Sequence, residues 1–190
     1  MLYVFEGLDG SGKSTIIHKV KRELEERGWD VLTIREPDEE YRRKVCTTDE
    51  RLDSATEYKI MEDGHDYLQE KVAQETDKVI LSDRSFLYSS LAYQAHTDAE
   101  MDTMRVYHLT KKHQPTRVYL LDTEPEICRL RALGARAEEK SAFDKESLDK
   151  YAQRYRRYMR MKDYSEVEVI DCNTNIERIC SDIAQMEENK

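Results

Sequence analysis

Residues 2–15 read LYVFEGLDGSGKST and combine a strand, a glycine-rich loop and the start of a helix. Leu2 to Phe5 is a short apolar run of β-forming residues, which predicts a buried strand. Gly7 to Ser14 follows directly and matches the pattern G-x-x-x-x-G-K-[ST] throughout. From Ile16 to Glu26 the apolar residues recur at helical spacing. A glycine loop between a buried strand and a helix predicts a site for a nucleoside triphosphate.

The residue types in this loop suit phosphate chemistry. Gly7, Gly10 and Gly12 allow positive φ angles and a close approach of the backbone to an anion. Consecutive N–H groups then point into one concavity at a helix N-terminus, which favours negative charge. Lys13 can reach the β- and γ-phosphates, and the Ser14 hydroxyl can bind magnesium. The alternative is a plain strand-to-helix connection that needs glycines, and the agreement of the motif with its flanks argues against it.

The bulk composition restricts the class of partner. The chain has 190 residues, 37% charged and 38% hydrophobic, which predicts one domain over residues 1–190. The net charge of −9 argues against nucleic-acid polymers and anionic membranes as partners, but not against a small phosphorylated ligand. The sequence contains no apolar run of about twenty residues, so no membrane span is expected. A strand that begins at residue 2 leads us to expect no signal peptide.

The four cysteines favour a reducing compartment. They are scattered at positions 46, 128, 172 and 180, without a C-x-x-C pair or a nearby histidine at metal-ligand spacing. We therefore expect neither a disulfide framework nor a structural metal, and we expect reduced thiols in a cytoplasm.

Strands and helices are predicted to alternate along the whole chain. Four further strands are predicted at Val31–Ile34, Val79–Ser82, Val118–Leu121 and Val167–Ile170, with helical segments between them. This order predicts an α/β fold of the P-loop NTPase type, a five-stranded parallel sheet between two helical layers. Ligands of such sheets bind at the carboxyl ends of the strands. The site is therefore expected at residues 7–15, 35–37, 83–84 and 122.

Charged residues follow two of these strands at the predicted site. Arg35 is a candidate phosphate anchor, and the alternative is a surface arginine that pairs with Glu36 or Asp38. Asp83 ends an apolar strand, as does the carboxylate that serves magnesium in many NTPases. Arg84 either bridges phosphates or pairs with Asp83.

Two of three aromatic-rich helical stretches are candidates to border the predicted pocket. Residues 86–94 hold three aromatics and two serines, which suits the wall of a base pocket as well as an ordinary core helix. Tyr58 and Glu62 lie four residues apart on one helix face, directed either toward a pocket or toward solvent. A tyrosine stripe at residues 151, 155 and 158 is interpreted as core.

A charged segment at about residues 134–146 is predicted to form a mobile lid. Apolar periodicity fades there, and Arg129, Arg131 and Arg136 precede or enter the segment. Arginines on a closing lid can neutralise the charge that develops on a transferring phosphoryl group. The alternative is an exposed loop with ordinary arginines.

Taken together, the motifs resemble those of the thymidylate kinase family, in order and over nearly the whole chain. They are FEGLDGSGKST (5–15), IREP (34–37), SDR (82–84), YSSLAYQ (88–94), YLLDTEPE (119–126) and VIDCN (169–173). The resemblance implies a P-loop nucleoside monophosphate kinase fold and a homodimer. The implied reaction moves the γ-phosphoryl group of ATP, with Mg2+ as cofactor, to a deoxynucleoside monophosphate, most simply dTMP.

The resemblance also implies roles for single residues. ATP and magnesium would be held by Gly7, Asp9, Gly10, Ser11, Gly12, Lys13, Ser14 and Thr15, with Asp83 serving the metal region. The acceptor would be held by Asp9, Arg35, Tyr58, Glu62, Arg84, Ser89, Ser90, Tyr93 and Gln94. Some members carry a catalytic arginine in the phosphate loop, where this chain has Gly10 and Ser11. Lys13, Asp9 and Arg84 would therefore act with lid arginines, for which Arg136 is the first candidate, followed by Arg131, Arg129 and Arg154.

The sequence departs from the family pattern in three places. REPDEE replaces the glycine-containing REPGGT, Ser85 replaces an aromatic after Arg84, and the spacing to AYQ is one residue longer. Glu62 stands where relatives carry an arginine that donates to the thymine carbonyl. An ionised carboxylate only accepts hydrogen bonds, so Glu62 would suit an exocyclic amino group better. Altered or broad base specificity toward dCMP, dAMP or dGMP is therefore an alternative.

Two other functional classes stay open at this point. One is a different small kinase on the same core, such as a nucleoside or adenylate-type kinase. The other is a P-loop switch or regulatory protein that hydrolyses nucleotide slowly and signals by shape. Asp9, the REP and the AYQ stretch argue against the other small kinase, and the lid arginines and the polar-aromatic pocket argue for a bound acceptor over a switch.

Overall fold

The computed structural model describes residues 1–38, 53–111, 114–135, 147–171 and 173–189. The strands are β1 (Leu2–Glu6), β2 (Val31–Arg35), β3 (Val79–Asp83), β4 (Arg117–Leu121) and β5 (Val167–Ile170). The helices are α1 (Lys13–Glu26), α2 (Ser54–Val72), α3 (Phe86–Tyr93), α4 (Asp98–His108), α5 (Pro125–Ala135), α6 (Leu148–Arg160) and α7 (Ile176–Glu188). A short 3-10 turn, Met161–Asp163, follows α6.

The five strands form one parallel sheet in the order β2-β3-β1-β4-β5. The predicted α/β fold with a five-stranded parallel sheet is confirmed. In the sheet register, Phe5 lies opposite Asp83, and Arg35 also lies opposite Asp83. The ends of β1, β2 and β3 are therefore level with one another, and the segments that follow them meet at one edge.

Alternating side chains of β1 divide the core between the two faces of the sheet. Leu2 and Val4 pack into a cluster with residues of α2, α3 and α6. Tyr3 and Phe5 pack on the opposite face with residues of α1 and α7. Both faces are thus covered by helices, as expected for a parallel sheet. The same alternation turns Glu6, the last residue of β1, toward the face of α3 and α6.

Polar caps fix several helix starts. The Asp53 carboxylate accepts hydrogen bonds from the backbone N–H groups of Ala55 and Thr56 and begins α2. The Ser85 side chain accepts from Leu87 N and begins α3, so the serine that replaces the family aromatic serves as a cap. No helix in the described part of the chain is long and apolar enough to cross a membrane.

The predicted lid falls largely outside the described residues. Helix α5 continues to Ala135, so the first two residues of the predicted segment 134–146 are helical. Arg136 and the rest of that segment lie outside the described ranges, and the lid and its first candidate arginine stay predictions.

Candidate active site

The glycine loop connects β1 to α1 in a conformation that depends on its glycines. Gly12 caps α1 with φ +101, and Gly10 has φ +82, both in the left-handed region. A Cβ added to Gly10 would lie 2.1 Å from the carbonyl oxygen of Cys128 in α5. Only glycine therefore lets this loop pack against α5.

Lys13 lies inside the loop that it follows. Its Nζ donates to the carbonyl oxygens of Gly7, at 3.1 Å, and Leu8, at 2.9 Å. Burial, together with the nearby Arg84 charge, lowers the pKa of Lys13 to about 8. A phosphate oxygen is a stronger acceptor than a carbonyl, so Lys13 has reason to move from the loop carbonyls to a bound phosphate.

Ser14 and Asp83 form a pair suited to magnesium. The Ser14 hydroxyl donates to Asp83 Oδ2 over 2.7 Å. The other carboxylate oxygen, Oδ1, is buried and has no hydrogen-bond partner among the described residues. Mg2+ is usually bound by one or two protein oxygens together with phosphates and waters. One hydroxyl and one carboxylate with an unsatisfied oxygen fit that requirement.

Arg84 directly follows Asp83 and is held in a strained backbone conformation. Its φ of +78 is rare for a residue with a long side chain. The guanidinium is buried, and its Nη2 donates to Asp9 Oδ1 at 2.8 Å and to the Tyr93 hydroxyl at 3.1 Å. Its Nη1 donates to the hydroxyls of Ser89, at 3.3 Å, and Tyr158, at 3.2 Å. Arg84 thus joins the glycine loop to α3 and α6.

Two arginine side chains lie against the Tyr93 ring. The Arg154 guanidinium of α6 lies 4.1 Å from the ring centroid, and that of Arg84 lies 5.0 Å away. The Tyr93 hydroxyl also donates to Asp9 Oδ2 over 3.4 Å. The four predicted site residues Asp9, Arg84, Tyr93 and Arg154 therefore meet in one cluster.

The two serines of α3 have different surroundings. Ser89 contacts Arg84, whereas Ser90 Oγ lies 3.4 Å from His108 Nε2 on α4. The Tyr58 hydroxyl of α2 lies 3.3 Å from the same nitrogen. Burial lowers the pKa of His108 to about 4, so the ring is neutral at neutral pH. Tyr58, Ser90 and His108 form a second polar cluster, made of uncharged groups.

Comparison with known proteins identifies the family. The family model for thymidylate kinase matches residues 5–183. A thymidylate kinase of Chlorobaculum parvum is 35% identical over 164 residues, covering 79% of this chain and 73% of the relative. A thymidylate kinase of Bacillus cytotoxicus is 32% identical over 209 residues, covering 100% and 98%. A probable thymidylate kinase of Archaeoglobus fulgidus is 29% identical over 196 residues, covering 100% and 95%.

The chain belongs to the thymidylate kinase family. The resemblance seen in the motifs is confirmed, and the chain is an ATP-dependent nucleoside monophosphate kinase. The open alternative of a nucleotide switch is therefore set aside. The roles of single residues in this family member stay predictions.

Glu62 of this thymidylate kinase family member is engaged by α4. The Tyr107 hydroxyl donates to its Oε1 over 2.6 Å, and Lys111 Nζ lies 3.0 Å from the same oxygen. Lys59 Nζ lies 3.4 Å from Oε2. Burial raises the pKa of Glu62, but the Tyr107 and Lys111 hydrogen bonds outweigh it and lower the pKa overall. The carboxylate is ionised and already has three donors.

The REP motif contributes a buried carboxylate as well as its arginine. Glu36 is almost fully buried, and the His65 Nδ1 of α2 lies 3.0 Å from its Oε1. The Phe86 N–H donates to the other oxygen. Glu36 therefore joins the end of β2 to the start of α3, a role that its charged neighbours in the sequence did not indicate.

The remaining predicted residues lie around this cluster. Arg35 is exposed at the end of β2, next to Asp83 in the register. Thr15 is exposed in the first turn of α1, and Arg131 is exposed on α5. Gln94 ends α3, and its Oε1 is buried without a partner in the described part of the chain.

Two residues that make hydrogen bonds in this cluster were not predicted as site residues from the sequence. Tyr158 was interpreted as core, yet its buried hydroxyl contacts Arg84. Glu6, just beyond the predicted strand Leu2–Phe5, was given no role, although it is buried and hydrogen-bonded to α3 with its cap Ser85 and to α6. A charged residue at the end of an apolar strand is the one signal that could have marked Glu6, because a buried carboxylate requires partners.

Proposed function

We propose that this family member transfers the γ-phosphoryl group of ATP to dTMP, giving ADP and dTDP, with Mg2+ as the cofactor. The observation that carries the proposal is the cluster of Asp9, Arg84 and Tyr93 beside the glycine loop. The cluster combines a guanidinium, a carboxylate and a phenol hydroxyl beside the loop that we propose for the donor phosphates. Family membership supports ATP as the donor and a nucleoside monophosphate as the acceptor.

On the donor side, the loop supplies hydrogen bonds and charge. The backbone N–H groups of residues 10–15 cradle the phosphates at the start of α1. Lys13 leaves the Gly7 and Leu8 carbonyls for the β- and γ-phosphates. Ser14 and Asp83 would hold Mg2+, which supplies charge neutralisation at the phosphates when bound. The loop thus fixes the γ-phosphorus before transfer.

On the acceptor side, Arg84 holds the phosphate of dTMP. A guanidinium presents a planar fork of N–H groups that matches phosphate oxygens. An acceptor phosphate oxygen attacks the γ-phosphorus, and the bond to the β–γ bridging oxygen breaks with its electron pair leaving on ADP. Positioning of the two phosphates in line is the main contribution required of the protein.

The sugar of the acceptor lies between Asp9 and Tyr93 in this proposal. Asp9 accepts from the 3′-hydroxyl, and the Tyr93 ring crowds the 2′ position, which favours deoxynucleotides. Arg35 adds a second cation for the acceptor phosphate. Arg154, which stacks on Tyr93, is a described candidate for charge neutralisation at the transferring group, beside Arg131, Arg129 and Arg136.

The base of the acceptor lies against Tyr58, Ser90 and Gln94. Because the Glu62 carboxylate is held by Tyr107 and Lys111, it has less reason to turn toward a base. Those contacts favour dTMP over the alternative in which Glu62 reads an exocyclic amino group of dCMP, dAMP or dGMP.

The proposal also covers the oligomeric state, the cellular compartment and the partners of the protein. We expect a homodimer on the strength of family resemblance, and a reducing cytoplasm because Cys128 and Cys180 are free buried thiols. Nucleic-acid polymers and membranes are not expected as partners of a chain with a net charge of −9.

ADP formation from ATP and Mg2+ tests the proposal. The acceptors to compare are dTMP, dUMP, dCMP, dAMP and dGMP, for the wild type and for Glu62→Arg, with Lys59→Arg as a control on the same helix. We expect dTMP to be preferred by the wild type. A preference for a base with an amino group, reversed in Glu62→Arg, would establish the alternative. ADP formation that no acceptor stimulates would refute the proposed transfer.

A further inference from the structure

Glu6 is a fully buried carboxylate next to Asp9, Arg84 and Tyr93, the group of residues proposed to bind the phosphate acceptor. We call this group the acceptor cluster. Glu6 accepts hydrogen bonds from Ser85 N at 2.7 Å, from the Ser89 hydroxyl at 2.9 Å and from the Tyr158 hydroxyl at 2.9 Å. None of its surface is exposed. Burial of an ionised carboxylate is costly unless hydrogen bonds and a cation compensate it. These three donors, the Gly7 N–H at 3.4 Å from Oε2 and the nearby Arg84 supply that compensation.

The contact between Glu6 and Arg84 is indirect. The nearest charged atoms, Glu6 Oε2 and Arg84 Nη1, are 3.9 Å apart, which is beyond hydrogen-bond distance. The hydroxyls of Ser89 and Tyr158 lie between them, because each donates to Glu6 and accepts from Arg84 Nη1. A hydroxyl carries one donor and two acceptor lone pairs, so it can do both at once.

This arrangement lets Glu6 orient Arg84 without a direct, bidentate contact between the two side chains. A direct fork-to-fork contact with a carboxylate would occupy two N–H groups of the guanidinium with its strongest type of partner. Through the two hydroxyls, Glu6 supplies negative charge nearby while Nη1 contacts only neutral oxygens. A phosphate can then compete for Nη1 against neutral acceptors only, whereas Nη2 is held by the Asp9 carboxylate at 2.8 Å.

Glu6 also holds the backbone beside Arg84. Its Oε1 accepts from the N–H of Ser85, the residue that directly follows Arg84. Arg84 has a φ of +78, a conformation that costs a residue with a Cβ about 1–3 kcal/mol. A strong hydrogen bond to the next peptide is one of the contacts that keep this conformation.

We propose that Glu6 is a positioning residue for phosphoryl transfer, which sets the orientation of Arg84 toward the acceptor phosphate through the Ser89 and Tyr158 hydroxyls and the Ser85 N–H. The proposal rests on the proposed function, in which Arg84 binds that phosphate. Burial is the largest influence on the Glu6 carboxyl and raises its pKa, while the charge of Arg84 opposes the rise.

Two substitutions separate this role from ordinary packing. Glu6→Gln keeps the size but removes the charge and one acceptor oxygen. Tyr158→Phe removes only the hydroxyl and leaves the core ring. The matched control is Tyr119→Phe, because Tyr119 is also fully buried in the sheet region, and its hydroxyl has no partner among the described residues.

The measurements are the KM for dTMP, the KM for ATP, kcat, Tm, and dTMP binding by calorimetry without ATP. For Glu6→Gln we expect about a thirtyfold loss of kcat/KM for dTMP, and for Tyr158→Phe about tenfold, as for lost hydrogen bonds to charged groups. Weaker dTMP binding in the calorimeter accompanies both losses. The KM for ATP stays within about twofold, and Tyr119→Phe matches the wild type in every kinetic constant.

Two results would overturn the proposal. One is a Tyr158→Phe enzyme with wild-type kinetics and dTMP binding. The other is a set of variants in which the KM for ATP and the KM for dTMP change equally, in step with a lower Tm. A wild-type enzyme that does not phosphorylate dTMP would instead refute the proposed function, and the two failures are thus distinguishable.

Discussion

The proposed ATP side and the proposed dTMP side of the site are built from different kinds of chemical group. In the proposed function, the donor phosphates are bound by residues 7–15, a single loop and helix start, mainly through backbone N–H groups. In the same proposal, the acceptor phosphate is bound by one arginine, Arg84, which has a strained backbone conformation. Side chains of β1, α3 and α6 hold this arginine in place. Glu6 and Tyr158, which meet there, are 152 positions apart in the sequence.

This difference affects how each side tolerates change. A loop that binds through its backbone depends on φ angles and on close packing, so glycines are its sensitive positions. A cluster that binds through one guanidinium depends on the partners that orient it, so hydroxyls and carboxylates are its sensitive positions. The following four substitutions or conditions test that contrast, from the largest expected effect to the smallest.

Removal of Lys13 should have the largest effect. Lys13→Ala removes the side-chain cation of the donor side, and we expect kcat to fall by about 10³-fold with little change in Tm. Steady-state ADP formation with dTMP measures it. The control is Lys21→Ala on the same helix, where Lys21 pairs only with Glu25 at 3.6 Å in the described structure. Equal losses in both variants would contradict the assigned role.

Substitution of Gly10 tests whether the glycine loop depends on its backbone conformation and close packing. Gly28, which lies outside the loop, is the control. Both have positive φ, +82 and +91, but a Cβ at Gly28 would meet nothing within 4 Å. We expect Gly28→Ala to cost about 1 kcal/mol of unfolding free energy, from backbone strain alone. Gly10→Ala should cost about 3 kcal/mol or more, because its Cβ would overlap the Cys128 carbonyl.

Urea denaturation measures both variants, with ADP formation alongside. A Gly10→Ala protein that is as stable as Gly28→Ala would show that the loop can move away from α5. The claimed packing requirement would then be wrong.

Exchange of Arg84 for lysine tests the side-chain dependence of the acceptor side. Lysine keeps the charge but lacks the planar fork, so Arg84→Lys should lower kcat/KM for dTMP by about 10²-fold and leave the KM for ATP unchanged. The control is Arg105→Lys, which alters a half-buried ion pair with Glu166, the residue just before β5. That control should lower Tm without a change in the KM for dTMP. A changed KM for ATP in Arg84→Lys would contradict the assignment of Arg84 to the dTMP side alone.

The pH dependence of the donor side gives the smallest effect. Lys13 has a pKa of about 8, so it loses its charge as the pH rises through that value. We expect kcat/KM for ATP to fall above pH 8, approaching about tenfold per pH unit. The same limb should be absent in Lys13→Arg, since arginine stays charged. An alkaline limb that persists in Lys13→Arg would assign it to another group.

The residues proposed for the donor side are adjacent in the sequence, whereas the contacts of those proposed for the acceptor side appeared only in the structure. Gly7 to Ser14 is one local pattern, so the residues that act together are also adjacent in the chain. Arg84 and Tyr93 were reached through motif resemblance, and the structure brings both to Asp9. Tyr158 lies in the core as predicted, but the contact of its hydroxyl with Arg84 was not predicted, because a tyrosine at helical spacing gives the same pattern whether its hydroxyl faces a core or an arginine.

The sequence by itself determined the order of strands and helices, the parallel sheet and the phosphate loop. Hydrophobic periodicity and the glycine pattern are local properties, and they depend on nothing far away in the chain. Only the tertiary structure decided that Ser89 faces Arg84 while Ser90 faces His108, that Glu62 is engaged by α4, and that Glu6 anchors the acceptor cluster. These outcomes depend on which distant donors satisfy each buried polar group, and that matching arises only when the helices pack on the sheet.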